Sequence, residues 1–137
     1  MQQKNIEVFR PLIPTPRNKS YEYFKQAFAK YDIDINEKSV LIGHSCGGTF
    51  LVRRLSENDK KIAKLLLVAP RKIWEEKKEG EDLYDFTINP NLNTRVGEIT
   101  YFTSDDEDLI GKKSLTIFHE TLQGNIIELP HHGHYTL

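Results

Sequence analysis

Ser45 lies in the pentapeptide Gly43-His44-Ser45-Cys46-Gly47, which has the G-x-S-x-G spacing of a nucleophile elbow. In such an elbow a strand turns sharply into a helix, so that the serine hydroxyl is raised above the edge of the sheet. The turn strains the serine backbone, and we expect side chains at positions 43 and 47 to collide with neighbouring backbone. The spacing therefore predicts a nucleophilic serine, with a glycine-rich turn that only packs as the alternative.

The residues on either side of the pentapeptide have the patterns that an elbow requires. Val40–Ile42 is a short apolar run that predicts a strand. Leu51 and Leu55 follow at the i, i+4 spacing of a buried helix face. The sequence therefore predicts the order of strand, turn and helix in which a nucleophile elbow occurs.

Two further predicted strands also end in residue types that serve catalysis. Glu98–Phe102 precedes the acidic residues 105–108, and Asn125–Leu129 precedes a loop with three histidines. The carboxyl ends of parallel strands gather at one edge of an open α/β sheet, so serine, acid and histidine are expected to meet there. Their chain order, serine then aspartate then histidine, is that of the α/β-hydrolase triad.

Each member of such a triad has a physical role. A serine hydroxyl becomes an effective nucleophile when an imidazole accepts its proton, and the imidazole later returns that proton to the leaving group. A buried carboxylate fixes the imidazole tautomer and stabilises the transient imidazolium. The backbone N–H of Cys46, at the start of the elbow helix, would donate one hydrogen bond to the oxyanion.

The remaining hydrophobic patterns complete a predicted α/β domain with a parallel sheet. Ile6–Phe9 is a strand candidate, Ile62–Ala69 has the continuous apolar run of a strand buried on both faces, and Lys113–Leu122 fits a helix. Ser20 is expected to cap another helix. That helix, over Tyr21–Tyr31, has an aromatic stripe that we expect to pack in the core: Tyr21, Phe24, Phe28 and Tyr31.

Arg71–Val96 has no clear periodicity. It is highly charged at its start, which is typical of a solvated surface. Its larger apolar residues nevertheless need burial: Trp74, Leu83, Tyr84 and Phe86. A lid and a surface loop therefore both remain open as interpretations.

The 137 residues are 38% hydrophobic and 28% charged, with a formal net charge of −1. These values are typical of one globular domain over residues 1–137, and the balanced charge argues against recruitment of nucleic acid or an anionic membrane. No apolar run approaches the ~20 residues of a membrane helix, and no segment near Met1 resembles a secretory signal. A single cysteine excludes an internal disulfide framework, so a reducing cytoplasm is the expected compartment.

No cofactor or metal site is predicted. The loop histidines, His131, His132 and His134, are close in sequence, and imidazoles so placed rarely converge on one ion. Cys46 is expected to be a small packed residue rather than a second nucleophile, and His44 to be a structural part of the elbow. The chain also lacks a Walker A lysine motif and a G-x-G-x-x-G after a first strand.

Four segments resemble the small serine hydrolases related to retinoblastoma-binding protein 9 and the bacterial YdeN type: VLIGHSCGGTFLVRRLSEN, LLLVAP, ITYFTSDDED and ELPHHGHYTL. FRPLIPTPRNKSYEYFKQAF is also similar to the segment that follows the second strand in that family. The resemblance implies an α/β-hydrolase-like three-layer sandwich with a mostly parallel sheet and a minimal cap. It also implies hydrolysis of a small ester or related acyl substrate through an acyl-enzyme intermediate.

Ser45 matches the nucleophile of this family, and His134 matches the histidine of its Gly-His-aromatic ending. The acid is harder to assign, because four consecutive residues are acidic. Counting on from the strand end and back from the following helix both give Asp106, which we expect to be the acid, with Asp108 as the alternative. An ungapped alignment of the strand end gives Glu107 instead.

The chain departs from the family pattern at both ends. The family has a strand before the one that matches Ile6–Phe9, and the loop after that earlier strand gives a second oxyanion donor. Nothing in this sequence matches the earlier strand or its loop. The chain also ends just after the matched histidine, so a shortened or truncated hydrolase is expected. Two functions follow, an esterase-like serine hydrolase and a catalytically impaired hydrolase-fold module that binds a ligand or protein. A sheet edge left exposed by the missing strand would favour a homodimer.

Overall fold

The computed structural model describes residues 6–11, 20–73 and 76–135. Its elements are α1 Tyr21–Asp32, β1 Val40–His44, α2 Cys46–Glu57, β2 Ile62–Val68, α3 Leu92–Arg95, β3 Val96–Ser104, α4 Leu109–Leu122 and β4 Asn125–Leu129. The four strands form one sheet in the order β1-β2-β3-β4, and every pairing is parallel. Among the described helices, none has the length and apolar character needed to cross a bilayer. The predicted α/β class with a parallel sheet is confirmed.

The strand register brings the candidate catalytic segments to one edge of the sheet. Gly43 of β1 pairs with Leu67 of β2, Leu67 pairs with Tyr101 of β3, and Tyr101 pairs with Ile126 of β4. Parallel neighbours need a crossover connection, and α2 and α4 lie in two of these connections. The carboxyl ends of all four strands therefore meet at the same edge, where the chain leaves β1, β3 and β4.

One face of the sheet is buried over β2 and β3. Leu65, Leu67 and Tyr101 on this face have no exposed surface. Phe50 of α2 lies at the centre of an aromatic cluster, with its ring centroid 5.2–5.9 Å from three rings of α1: Tyr21, Phe24 and Phe28. The aromatic stripe of α1 therefore packs in the core, as its spacing predicts.

The opposite face and the β1 edge are more open. Val40 and Ile42 of β1 are 49% and 65% exposed. Lys64 and Glu98 form an ion pair of 3.5 Å between neighbouring strands, and both side chains are about half exposed. Over this face the described residues show no outer helical layer of the kind a three-layer sandwich would add.

The predicted strand at Ile6–Phe9 is wrong. These residues are irregular and pair with no strand, and Ile6 is 81% exposed. The ring of Phe9 meets Tyr31 edge-on, with the two centroids 5.9 Å apart. The segment therefore rests against α1 instead of the sheet, because β-branched residues alone do not make a strand without a neighbouring ladder.

The start of α1 is held differently from the prediction. Ser20 has an extended backbone but makes no side-chain capping bond. Instead, the carboxylate of Asp82 accepts a hydrogen bond from the Tyr21 N–H at 2.8 Å. An acidic residue distant in sequence thus satisfies one of the N–H groups that a helix start leaves without a partner.

The charged segment between β2 and β3 is packed against the helices. Leu83 and Tyr84 are buried, and the Arg53 guanidinium of α2 donates to the backbone oxygen of Asp82 at 2.6 Å. Trp74 lies outside the described residues. The described part of this segment therefore contributes to the core around α1 and α2, and Leu83 and Tyr84 are buried as their apolar character requires.

Candidate active site

Ser45 is the single residue between a strand and a helix. β1 ends at His44 and α2 begins at Cys46. The backbone of Ser45 has φ 54° and ψ −122°, a region that residues other than glycine avoid. Its N–H donates to the Val68 carbonyl at 2.9 Å, so β2 holds the turn in place. The strand-turn-helix context of a nucleophile elbow is present.

The elbow depends on a close approach between two glycines. A Cβ on Gly43 would lie 2.5 Å from the Cα of Gly48, which no side chain tolerates. A Cβ on Gly48 would in turn lie 3.1 Å from the carbonyl oxygen of Gly43. The prediction of a collision at Gly47 is wrong, because a Cβ there meets nothing within 4 Å. The sequence reasoning missed Gly48 as the second glycine of the contact.

The imidazole of His134 lies between Ser45 and an acid. Its Nε2 is 2.8 Å from the Ser45 Oγ, and its Nδ1 is 3.2 Å from each carboxylate oxygen of Glu107. The Glu107 side chain is only 1% exposed, and its Oε1 also accepts from the Asp108 N–H at 3.1 Å. A carboxylate facing Nδ1 favours the tautomer with the proton on Nδ1, which leaves Nε2 free to accept the serine proton.

Asp106, the expected acid, is turned away from this position. Its Oδ1 accepts from the Ser104 Oγ at 2.5 Å and from the Gly133 N–H at 2.7 Å. Those two hydrogen bonds, the Ser104 bond first, hold the pKa of Asp106 below its ordinary value. The structure corrects the prediction, because in this turn Asp106 points toward the backbone of the histidine loop while Glu107 points into the interior.

Asp108, the alternative acid, begins α4. Its Oδ1 accepts from the Gly111 N–H at 2.7 Å, which is a helix N-cap bond. Both of its oxygens also accept from the Arg71 guanidinium, at 2.8 and 2.7 Å. The hydrogen bond from Arg71 is the main cause that lowers the pKa of Asp108 to about 2. This cap explains why α4 begins at Leu109 and not, as predicted, at Lys113.

The loop that carries His134 is anchored to the end of β3. Backbone N–H groups and a phenol of the loop donate to β3 and its turn in four pairs: His131 to Asp105, His132 to Ser104, Gly133 to Asp106, and the Tyr135 hydroxyl to the Thr103 carbonyl. Asp105 and Asp106 of the acidic run therefore hold this loop, together with Thr103 and Ser104.

His44 holds the same loop from the elbow side. Its Nε2 is 2.8 Å from the backbone oxygen of His134. A carbonyl oxygen only accepts, so the Nε2 of His44 carries a hydrogen and donates it. The elbow histidine thus joins β1 to the residue that faces Ser45.

Arg71 is a site residue that the sequence reasoning missed. Its side chain is 14% exposed, and its Nη2 is 3.2 Å from the Nδ1 of His134 and 3.7 Å from the Glu107 Oε1. Its position just after β2, at the edge where the other site residues gather, is the signal that could have identified it.

The backbone N–H of Cys46 and a cluster of exposed acidic and histidine side chains lie near these residues. α2 begins at Cys46, so its N–H is among the donors without an intrahelical partner at the start of a helix. In the described ranges, the side-chain ligand atoms of Asp105, Asp106 and His131 lie within 4.8 Å of one another, and all three residues are exposed. The two carboxylates already accept backbone hydrogen bonds from the histidine loop, so they have a structural role without an ion.

The chain is similar to known hydrolases in sequence pattern and in structure. A family model described as serine hydrolase matches residues 21–137. The structure of the ydeN gene product from B. subtilis aligns with a TM-score of 0.79 at 16% identity, over 90% of this chain and 68% of that one. No curated protein matches the chain in sequence.

Two further structures share the fold at lower similarity. A protein from Agrobacterium vitis S4 that is named as a hydrolase aligns with a TM-score of 0.54 at 15% identity, over 82% of this chain and 61% of that one. A CIB-like hydrolase from Thermoplasma acidophilum, assigned as such by prediction, aligns with a TM-score of 0.53 at 14% identity, over 84% and 51%. At these identities the structures establish the α/β-hydrolase fold, and the family model covers most of the chain. This protein therefore belongs to the serine hydrolase family.

Proposed function

We propose that this protein hydrolyses a small ester or related acyl substrate through an acyl-enzyme on Ser45. Membership of the serine hydrolase family supports hydrolysis. The observation that carries the proposal is the placement of the His134 imidazole, 2.8 Å from the Ser45 Oγ on one side and 3.2 Å from the buried carboxylate of Glu107 on the other. These distances suit proton transfer to the ring and stabilisation of the resulting imidazolium.

The proposed reaction has two steps. The Ser45 Oγ attacks the acyl carbon, its proton passes to the Nε2 of His134, and the imidazolium then protonates the departing alcohol. A water molecule next loses a proton to the same Nε2 and attacks the acyl-enzyme; the acyl–Oγ bond breaks, the acid is released, and Nε2 returns the proton to the Ser45 Oγ. Glu107 stabilises the imidazolium in both steps, in the role that the sequence assigned to Asp106.

The N–H of Cys46 is the proposed oxyanion donor. It belongs to the residue after the nucleophile, and it lies at the positive end of the α2 dipole. Removing one such donor from a hydrolase costs roughly 10²–10³ in rate. A protein with the Cys46 donor alone would therefore turn over more slowly than one with two donors, but it would still turn over.

Labelling by a fluorophosphonate probe and the burst of p-nitrophenol from p-nitrophenyl acetate test this proposal. We expect both signals in the wild type, and we expect Ser45→Ala to abolish both. Ser56→Ala, which changes another serine of the adjoining helix, is the matched control and should keep them. A cooperatively folded wild type that neither labels nor turns over would instead support a hydrolase-fold module that binds its ligand without cleaving it.

We also propose that two copies associate through the free edge of β1. This strand pairs only with β2 among the described residues, and exposed apolar edge strands are templates for pairing. Val40 and Ile42 supply the apolar surface. Sedimentation equilibrium should show a dimer that Ile42→Lys dissociates and that Ile33→Lys, on an exposed residue outside the sheet, leaves intact. A wild type that is monomeric at every concentration would refute the association.

A further inference from the structure

The Nε2 of His134 faces two donors. The hydroxyl oxygen of Ser45 lies 2.8 Å from it, and the Nε–H of Arg71 points at it, with the two nitrogens 3.4 Å apart. An imidazole that carries its proton on Nδ1 has a single lone pair on Nε2. Ser45 is the closer donor, so the Nε–H of Arg71 has the longer and weaker of the two hydrogen bonds.

The other end of the guanidinium is held by an acid. Nη1 and Nη2 of Arg71 donate to the two oxygens of Asp108 at 2.8 and 2.7 Å, in a fork-to-fork arrangement. The hydrogen bond to Asp108 is the main cause that raises the pKa of Arg71. Nη2 also lies 3.2 Å from the Nδ1 of His134, but a protonated Nδ1 accepts nothing from it. The side chain therefore stays charged and in place, with its Nε–H turned toward the reacting residues.

Proton transfer from Ser45 removes the acceptor that Arg71 faces. Once Nε2 of His134 holds the proton it is a donor, and two N–H groups then point at each other. The Arg71 side chain is only 14% exposed, so solvent compensates poorly for the lost hydrogen bond. The Nε–H therefore needs another acceptor at the moment when the imidazolium forms.

The reaction itself brings such an acceptor. The leaving-group oxygen must come within about 2.6–3.2 Å of Nε2, because that nitrogen gives it a proton. An oxygen in that position lies beside the Nε–H of Arg71, which points at the same nitrogen. Negative charge grows on this oxygen as its bond to the acyl carbon breaks, and a cationic donor binds it more strongly as the charge grows.

We propose that Arg71 is a further catalytic residue: as Nε2 of His134 becomes protonated, the Nε–H of Arg71 changes its acceptor from Nε2 to the leaving-group oxygen and stabilises the negative charge there. Arg71 keeps its own proton, and the proton that reaches the leaving group is the one that Ser45 gave to His134. This role rests on the proposed function. It assigns to the site esters with poor leaving groups, such as alkyl and unactivated aryl esters, which need this donor most.

Two acetate esters with the same acyl group and different leaving groups test this role. The p-nitrophenolate ion delocalises its charge and needs little stabilisation, whereas phenolate keeps more of its charge on oxygen. The comparison uses kcat/KM, because it reports the acylation step in which the two esters differ. We expect Arg71→Met to lower kcat/KM about 10- to 100-fold for phenyl acetate and less than about threefold for p-nitrophenyl acetate.

Arg71→Lys separates the donor from the charge. A lysine keeps an ion pair with Asp108 but has a methylene where arginine has Nε, so its kcat/KM for phenyl acetate should stay within about threefold of that of Arg71→Met. Arg54→Met is the matched control. Arg54 is 21% exposed, donates to both oxygens of Asp32, and lies in the last turn of α2, at the opposite end from Ser45. Its loss should leave kcat/KM for both esters unchanged.

Three outcomes would overturn the proposal. Equal losses for the two esters in Arg71→Met would mean that Arg71 acts only through the structure of the site. Unchanged kcat/KM for phenyl acetate in that variant, or wild-type kcat/KM in Arg71→Lys, would exclude the Nε–H as a donor. Circular dichroism checks that each variant is folded, and Arg71→Lys carries the comparison if Arg71→Met is not. Failure of the proposed function looks different, because the wild type would then hydrolyse neither ester through Ser45.

Discussion

Replacing Glu107 with glutamine changes one atom in a fixed hydrogen-bond pattern. In the wild type, Oε1 accepts from the Asp108 N–H at 3.1 Å, and both oxygens lie 3.2 Å from the Nδ1 of His134. A glutamine has one acceptor oxygen and one donor nitrogen in place of these two oxygens. If its oxygen stays on the Asp108 N–H, its NH2 group replaces Oε2 beside Nδ1 and competes with that oxygen, which favours the tautomer with the proton on Nε2. That tautomer cannot accept the proton of Ser45.

The opposite orientation of the glutamine is no better. Its NH2 group would then face the Asp108 N–H, donor against donor, at a side chain that is only 1% exposed to solvent. Both orientations also lack the negative charge that stabilises the imidazolium. An amide in place of the triad aspartate of chymotrypsin lowers kcat about 10⁴-fold. We expect a fall of about 10³- to 10⁴-fold here, or about 4–5.5 kcal/mol in the activation free energy.

Steady-state hydrolysis of p-nitrophenyl acetate measures this loss, with Ser45→Ala as the background. Asp106→Asn is the matched control, because an asparagine oxygen can still accept from Ser104 and from the Gly133 N–H. We expect less than about a tenfold change in that control, since it alters the anchoring of the loop and not the partner of the ring. A larger loss in Asp106→Asn than in Glu107→Gln would refute the assignment of the acid.

Three further predictions concern the elbow, the acid and the helix cap. Gly43→Ala should lower the free energy of unfolding in urea by about 1–3 kcal/mol, because its Cβ would lie 2.5 Å from backbone. Gly47→Ala should not lower the free energy of unfolding, and equal stabilities of the two variants would contradict the elbow contact. Gly111→Ala should lower kcat about 10- to 100-fold, because its Cβ would lie 2.5 Å from the Cδ of Glu107 and displace that carboxylate. Wild-type kcat would count against the placement of the carboxylate. Asp108→Asn should reduce the free energy of unfolding by less than about 1 kcal/mol at pH 7. Folding lowers the pKa of Asp108 from 3.8 to about 2, so the stability that its carboxylate contributes is complete above about pH 4 and largely lost by pH 2. Urea titrations that show the same stability difference between wild type and Asp108→Asn at both pH values would exclude this contribution.

The sequence reveals the strands and two of the three residues at the centre of the site. Apolar runs mark β1 and β2, shorter strand patterns at Glu98–Phe102 and Asn125–Leu129 mark β3 and β4, and Ser45 and His134 each follow a strand end at a recognisable spacing. The acid is not readable in the same way, because the direction of each side chain in an acidic run depends on the turn. Two signals were available: the ungapped alignment of the strand end gave Glu107, and Asp108 before Leu109 has the pattern of a helix N-cap. Recognising that cap would have left Glu107 as the last residue before the helix.

Other features depend on partners that a linear pattern does not contain. The position of Arg71 just after β2 indicates the edge where the site gathers, but only the tertiary fold sets its contact with the His134 ring. Ile6–Phe9 has the composition of a strand, but a strand needs a ladder, and the structure supplies none beside it. The crossing of Gly43 and Gly48 is likewise a contact between two chain segments, whereas sequence spacing pointed to Gly47.

The strand order has a consequence for folding kinetics. Ser45 and His134 are 89 positions apart, and the sheet follows chain order, so each intervening strand must dock before the hydroxyl meets the imidazole. Parallel pairs lack hairpins, and each crossover must close a long loop before its contacts form, which slows assembly. In refolding from urea, esterase activity should thus recover after helical circular dichroism and after burial of the aromatic cluster around Phe50. Enzyme turnover would then report the arrival of the last strand.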